Sequence, residues 1–167
     1  AGAAHLVCPE LMLPGYNRAD LHPQRGQPRG GSWHDRLSAL CHGARCGLSV
    51  GWAERDGDRV FNAATCFDAD GTVLAQYRKR QLFGPQERAV FTPGDAVPTF
   101  TLAGRRAALL ICYDVEFADL VRHVADAGVE LLLVPTANPA GYEIVSDALI
   151  PARAAETGLI VAYANVC

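Results

Sequence analysis

The most regular apolar pattern in the chain lies in its second half. Ala107–Cys112 (AALLIC), Leu131–Val134 (LLLV) and Leu159–Tyr163 (LIVAY) are almost wholly apolar, as strands buried on both faces are. Between the first two, Phe117, Leu120, Val121 and Val124 recur at helical spacing. They predict a helix over Asp114–Gly128, with Asp114 capping its start and Gly128 its end. A second helical stretch, Glu143–Thr157, carries Pro151, which should kink it or restart it. Strands alternating with helices through short links predict crossover units and an α/β fold.

The first half is less regular. Short strands are expected at Leu6–Pro9, Leu48–Trp52, Val60–Phe67 and Thr72–Gln76, with Asp70-Gly71 turning the last pair into a hairpin. Ser32–Ala44 has Trp33, Leu37, Leu40 and Cys41 at helical spacing, and Ser32 is placed to act as N-cap. Asn17–Gly31 and Phe83–Pro98, both bearing prolines, read as loops, the first long enough to cover a site. Ala1–His5 resembles the tail of a helix that leads straight into a strand. The last strand runs to Cys167 without a closing element, which would leave an unprotected sheet edge. The chain is therefore expected to be part of a longer one and poorly stable by itself.

Composition narrows the class. The 167 residues suit one domain, and half are apolar while a fifth are charged, so a folded globular chain is expected. Eighteen acids against fifteen bases leave a net charge of −3 with no basic block, which argues against a nucleic-acid partner. The apolar runs reach only about half of the ~20 residues that a membrane span needs. The six cysteines show neither CxxC spacing nor the tight Cys/His spacing of a structural zinc site. Free thiols in a cytoplasmic protein without a metal are expected.

One count changes the picture. Of the fifteen basic residues only Lys79 is lysine. An ammonium is compact and fits where the arginine fork does not, so Lys79 invites a specific role, although YRKRQLF could equally be a solvated basic run. Cys112 ends an apolar strand just before a helix start. That position suits a nucleophile beside free backbone N–H groups, but also a buried apolar filler. Glu10 follows Pro9 at another strand end, where it is a loop acid or a base that activates a thiol. Cys8, Cys41, Cys46, Cys66 and Cys167 read as small apolar fillers. His5, His22, His34, His42 and His123 read as surface or loop residues, so no Cys–His pair is expected.

Three blocks together carry a resemblance: Pro9–Tyr16 (PELMLPGY), Tyr77–Asp95 (YRKRQLFG…E…FTPGD) and Leu110–Phe117 (LICYDVEF). They resemble the nitrilase superfamily of carbon–nitrogen hydrolases. Pro135–Asn138, Pro151–Ala154 and Val161–Asn165 are similar to its aliphatic amidase-like branch. The resemblance implies an αββα sandwich, here incomplete at both ends, in a single carbon–nitrogen hydrolase domain over 1–167 that lacks the first strand and the C-terminal strands. It implies Glu10 as general base, Lys79 as the cation over the intermediate and Cys112 as nucleophile. Glu87 would help hold the lysine, and the Tyr113 N–H would join the oxyanion hole. Tyr16 and Asn138, beside motif residues, are candidates for substrate contact. The implied reaction is cleavage of a small amide to acid and ammonia through a cysteine thioester, with no cofactor, in a homodimer or larger assembly. Nitrile hydrolysis, acyl transfer to another acceptor and a non-catalytic binding module are the alternatives. Tyr113-Asp114 after the cysteine favours amides over nitriles.

Overall fold

The computed structural model of the protein describes residues 2–166. Its first half builds a sheet of four strands: β1 (His5–Val7), β2 (Gly47–Asp56), β3 (Arg59–Phe67) and β4 (Val73–Arg78), in that order. β1 runs parallel to β2, and the β2–β3 and β3–β4 pairs are antiparallel. The second half builds another sheet from β5 (Thr99–Leu102), β6 (Arg105–Leu109), β7 (Leu131–Pro135) and β8 (Ile160–Ala164). Here β5 pairs antiparallel with β6, while β6, β7 and β8 are parallel. Among the described residues no helix is long and apolar enough to cross a membrane.

The two sheets pack face to face. Ala64, Cys66, Ala75 and Tyr77 of the first share one apolar core with Ala108, Leu109, Leu132 and Leu133 of the second. Helices cover the outer faces. α2 (Ser32–Ala44) lays Cys41 against Leu48, Val50 and Phe67 of the first sheet. On the second, α4 (Ala118–Asp126) inserts Leu120, Val121 and Val124, and Ile150 of α5 (Ile150–Thr157) joins the same core. The order helix–sheet–sheet–helix is the expected αββα sandwich.

Several local expectations are corrected. Ser32 is the first residue of α2, not its cap: Gly31 holds that place, and the Ser32 hydroxyl donates to Gln27 Oε1 at 3.2 Å. Leu40 is exposed, and His34 takes the buried position instead, with Gly30 N–H donating to its Nδ1. The loop over Asn17–Gly31 contains the short α1 (His22–Arg25), whose His22 is buried against Phe91 with ring centroids 5.1 Å apart. His22 and His34 are thus core residues. Phe83–Pro98 holds α3 (Gly84–Val90), with Pro85 in its first turn, where a missing N–H costs nothing. No helix starts at Asp114. A 3₁₀ turn, Cys112–Glu116, precedes α4, and Phe117 is its exposed N-cap. Before Pro151 a π-helical turn spans Val145–Leu149, and α5 restarts the helix as its proline requires. The expected strand ending in Cys112 stops at Leu109, and the strand expected at Leu6–Pro9 is His5–Val7. Gly2 and Ala3 are not helical, and Ala1 and Cys167 lie outside the described residues. Cys8, Cys41, Cys46, Cys66 and Cys112 carry free thiols. Cys41 and Cys66 fill the core as expected, whereas Cys8 and Cys46 are only half-buried.

One glycine controls how the first sheet meets the site. A Cβ on Gly51 in β2 would lie 2.5 Å from Leu11 N, 2.7 Å from Pro9 O and 2.8 Å from Glu10 Cα. Only a hydrogen side chain lets the strand approach the Glu10 segment this closely. Gly51→Ala is expected to lower stability by about 1–3 kcal/mol through overpacking. Gly43→Ala in α2, where a Cβ meets nothing within 4 Å, should raise it by about 0.5–1 kcal/mol. Urea denaturation midpoints check both.

Candidate active site

The Glu10, Lys79 and Glu87 side chains come from three separate structural units and meet out of water. β1 leads into Glu10, and β4 ends one residue before Lys79. α3 presents Glu87 from its first turn and a half. Lys79 and Glu10 are each 1% exposed, and Glu87 is 5% exposed. Side chains alternate at the end of β4. Arg78 turns to the buried Glu54 and lies 3.7 Å over the Phe61 ring, while Lys79 turns to the carboxylates.

The Lys79 ammonium donates to Glu10 Oε1 at 2.6 Å and to Glu87 Oε1 at 2.9 Å. Its own backbone is pinned, since Lys79 N–H donates to Asn62 O and Gly94 N–H donates to Lys79 O, both at 2.8 Å. Glu87 is held in turn: Tyr16 O–H donates to Oε1 at 2.8 Å, and Phe83 N–H donates to Oε2 at 2.9 Å. Asn62 Nδ2 donates to Glu10 Oε1 at 2.7 Å. Glu10 Oε2 is buried without a hydrogen-bond partner. It is the one carboxylate oxygen of the pair left free to take or give a proton.

Cys112 opens the 3₁₀ turn with φ at 45°. This is the left-handed region, where a residue with a Cβ is strained. Cys112 is the first residue of the turn, so the next N–H, that of Tyr113, lies in the first turn without an intrahelical partner. The Tyr113 ring packs edge-on against Phe83 and Phe117, with centroids 5.1 and 4.9 Å away.

Burial dominates the electrostatics. It pushes the Cys112 thiol well above its ordinary value, and the Glu10 charge adds to this. Lys79 and the Ala137 N–H on the sulfur oppose it. Burial also raises Glu10; Lys79 pulls it down, and the second carboxylate, Glu87, pushes it up again. Burial alone would lower Lys79, but the Glu10 and Glu87 charges outweigh it and hold the ammonium above its usual range. Burial raises Tyr16 too, followed by Glu10 and Glu87, so its phenol stays a donor. The result is a protonated thiol beside a carboxylate with raised basicity and a permanently charged ammonium.

A cavity of about 620 Å³ opens at this end of the sandwich, lined by Tyr16, Phe83, Gln86, Ala137, Asn138 and Val166. The Asn138 side chain is committed to the loop: Nδ2 donates to Tyr142 O at 3.0 Å, and the backbone exchanges bonds with the Asn165 amide. Asn138 therefore shapes the wall, while Tyr16 joins the wall to Glu87.

Sequence reasoning selected Glu10, Lys79, Glu87, Cys112, Tyr113, Tyr16 and Asn138, and the fold gathers them at one end of the sandwich. It missed Asn62 and the Ala137 N–H. Asn62 left a signal, a carboxamide inside a mostly apolar strand. Ala137 left none, because a backbone donor does not depend on residue type.

The sequence profile of carbon–nitrogen hydrolases matches residues 1–167. The chain is 41% identical over 165 residues to the Pseudomonas protegens protein named "Hydrolase in pqqF 5'region", covering 97% of this chain and 58% of that one. It is 34% identical to an (R)-stereoselective amidase of Pseudomonas sp, covering 96% of this chain and 58% of that protein. Among solved structures, an amidase from Nesterenkonia sp. AN1 with acrylamide added at its active-site cysteine superposes with a TM-score of 0.93. Its identity is 38%, over 99% of this chain and 66% of that one. A cysteine-to-alanine variant of the same amidase, in complex with butyramide, gives 0.92 at 37% identity, over 99% and 64% of the two chains. The chain thus spans well under two thirds of these two Pseudomonas relatives.

Lys79 keeps two carboxylates in a dry pocket, so its removal should expose their mutual repulsion. Lys79→Met is expected to cost about 3–5 kcal/mol at neutral pH, since it leaves buried charge unpaired. Without the ammonium, which pulls it down, the Glu10 carboxyl that burial already raises should rise further above its unfolded value. The folded state then binds more protons, and the loss should shrink as pH falls from 8 to 5. Urea unfolding of variant and parent across that range checks the sign.

Proposed function

The chain belongs to the carbon–nitrogen hydrolase family, and on that premise we propose that the protein cleaves small aliphatic amides to carboxylic acid and ammonia. The observation that carries this reading is the buried Lys79 ammonium shared by Glu10 and Glu87 next to the Cys112 thiol. Glu10 is the general base, Cys112 the nucleophile and Lys79 the fixed cation.

The thiol proton passes to Glu10, whose Oε2 has no other partner, and the sulfur attacks the amide carbonyl carbon. The carbonyl π electrons move onto oxygen, where Lys79 Nζ and the Tyr113 N–H meet the developing charge. Glu10 returns the proton to the amide nitrogen, the C–N bond breaks, ammonia leaves, and a thioester remains on Cys112. Water then gives one proton to Glu10 and attacks the thioester carbonyl. Collapse of this second adduct expels the sulfur, which recovers the proton, and the acid leaves. Glu87 does not touch the reacting atoms. With Tyr16 and the Phe83 N–H it holds Lys79 in line.

The cavity walls contributed by Tyr16, Phe83, Ala137 and Asn138 suit a short uncharged acyl group. The butyramide bound by the Nesterenkonia amidase supports that class. An amide gives ammonia in the first half of the cycle, so acetamide, butyramide and butyronitrile are the discriminating substrates.

In the full-length protein, ammonia release from butyramide should exceed that from butyronitrile. Cys112→Ala should abolish release with the melting temperature preserved. Lys79→Arg should cut kcat by about 10²-fold or more, because the planar fork cannot take the place of the ammonium. Unchanged release in Cys112→Ala would end the thioester reading. Release from the nitrile alone would move the protein to nitrile hydrolysis.

A further inference from the structure

One buried carboxylate is not used in this cycle. Asp114 is 0% exposed and lies two residues after Cys112. A single carboxylate there accepts four hydrogen bonds. Oδ1 takes the N–H groups of Gln81 at 2.8 Å and Arg80 at 3.2 Å. Oδ2 takes the Ile111 N–H at 2.9 Å and the Tyr77 O–H at 2.8 Å. Arg80 and Gln81 directly follow Lys79, and Ile111 directly precedes Cys112. β4 and β6, which lead to these two points, lie in different sheets.

We propose that Asp114 is a positioning residue whose carboxylate clamps the chain just after Lys79 to the chain just before Cys112, fixing the spacing of ammonium and sulfur. Its importance for catalysis rests on the proposed amide hydrolysis, but the clamp itself can be read from thiol chemistry that needs no amide. A second hydrogen bond to the Cys112 turn runs from Arg153 Nη2 to Glu116 O, at 3.1 Å. It ties the turn to α5 and does not reach the Lys79 segment. The clamp works because an ionised carboxylate only accepts, and all four groups around it donate. Its bonds are charge-assisted and shielded from water, which strengthens them.

A carboxamide cannot replace it. The single oxygen of an asparagine can face Arg80 and Gln81 or face Ile111, but its NH₂ then meets an N–H on the other side. One half of the clamp opens whichever way it turns. The titratable and charged groups around Asp114 are Tyr77, Lys79 and Arg80 from the β4 side and Cys112 and Glu116 from its own turn. Burial pushes the Asp114 carboxyl up to about 6, against the Ile111 and Gln81 N–H groups, Tyr77 and Lys79, which lower it. Below that pH a protonated Asp114 becomes a donor itself, and the clamp should loosen.

The test is alkylation of Cys112 by iodoacetamide in the full-length protein, followed by mass spectrometry across pH 5–8, alongside butyramide turnover. Asp114→Asn should alkylate about ten-fold more slowly or worse, with kcat reduced similarly and KM within about two-fold, as expected for misplaced reacting groups. Tyr77→Phe removes one donor to the carboxylate, so the inflection near pH 6 should move upward. A residue that merely supports the fold would lower the melting temperature without moving that inflection. A folded Asp114→Asn that alkylates within two-fold of the parent overturns the clamp. If Asp114→Asn does not fold, an inflection absent from the parent, or unmoved in Tyr77→Phe, overturns it instead. Slowed alkylation in Asp114→Asn without ammonia release by the parent would sustain the clamp and remove the amidase reading. The converse result would do the opposite.

Discussion

A charged ammonium buried between two carboxylates is the constraint around which this end of the molecule is organised. An isolated charge is very unfavourable in a protein interior, and pairing offsets the penalty only when the geometry is close and the remaining lone pairs are used. Lys79 meets these terms through bonds of 2.6 and 2.9 Å. Tyr16 and Asn62 donate to the same two oxygens, Glu87 Oε1 and Glu10 Oε1, and the Phe83 N–H takes Glu87 Oε2. Of the four oxygens of Glu10 and Glu87, Glu10 Oε2 alone is left without a partner.

The two-sheet sandwich makes such a cluster possible. Neither sheet could bring Lys79 and Cys112 together by itself, because β4 belongs to one and the turn after β6 to the other. Packing the inner faces places both chain ends at the same level. Buried polar groups then lock them: Asp114 across the sheets, and the Thr136 carbonyl, which accepts from Glu10 N–H at 3.3 Å. The strained φ of Cys112 is tolerated because the strand before it and the turn after it are both fixed.

Much of the fold was legible because its strongest signals are local. The apolar runs of β6 and β7, the span of α2 and the restart at Pro151 follow from periodicity and from the missing proline N–H. The errors have tertiary causes. α3 is a short helix whose sequence carries two turn formers, Gly84 and Pro85, and it is held by Glu87 bonding back to Phe83. His22 and His34 are buried because the fold supplies partners for their rings, Gly15 O for one and Thr65 for the other. Asp114 reads as a helix N-cap from its spacing after the strand end, but no helix starts there. Its carboxylate takes the Ile111 N–H three residues back, and its other partners, Gln81, Arg80 and Tyr77, lie 33 to 37 residues away in sequence.

By itself the sequence determined which residues could do chemistry: a lone lysine, a cysteine at a strand end and two glutamates, in blocks whose order resembles one family. Composition and hydrophobic period depend only on neighbours along the chain, so they need no coordinates. Tertiary structure alone decided that these groups meet in a dry pocket, which oxygen stays unpaired and which way each pKa moves. Desolvation and charge pairing depend on what surrounds an atom in space, and the residues that surround these atoms come from distant parts of the chain.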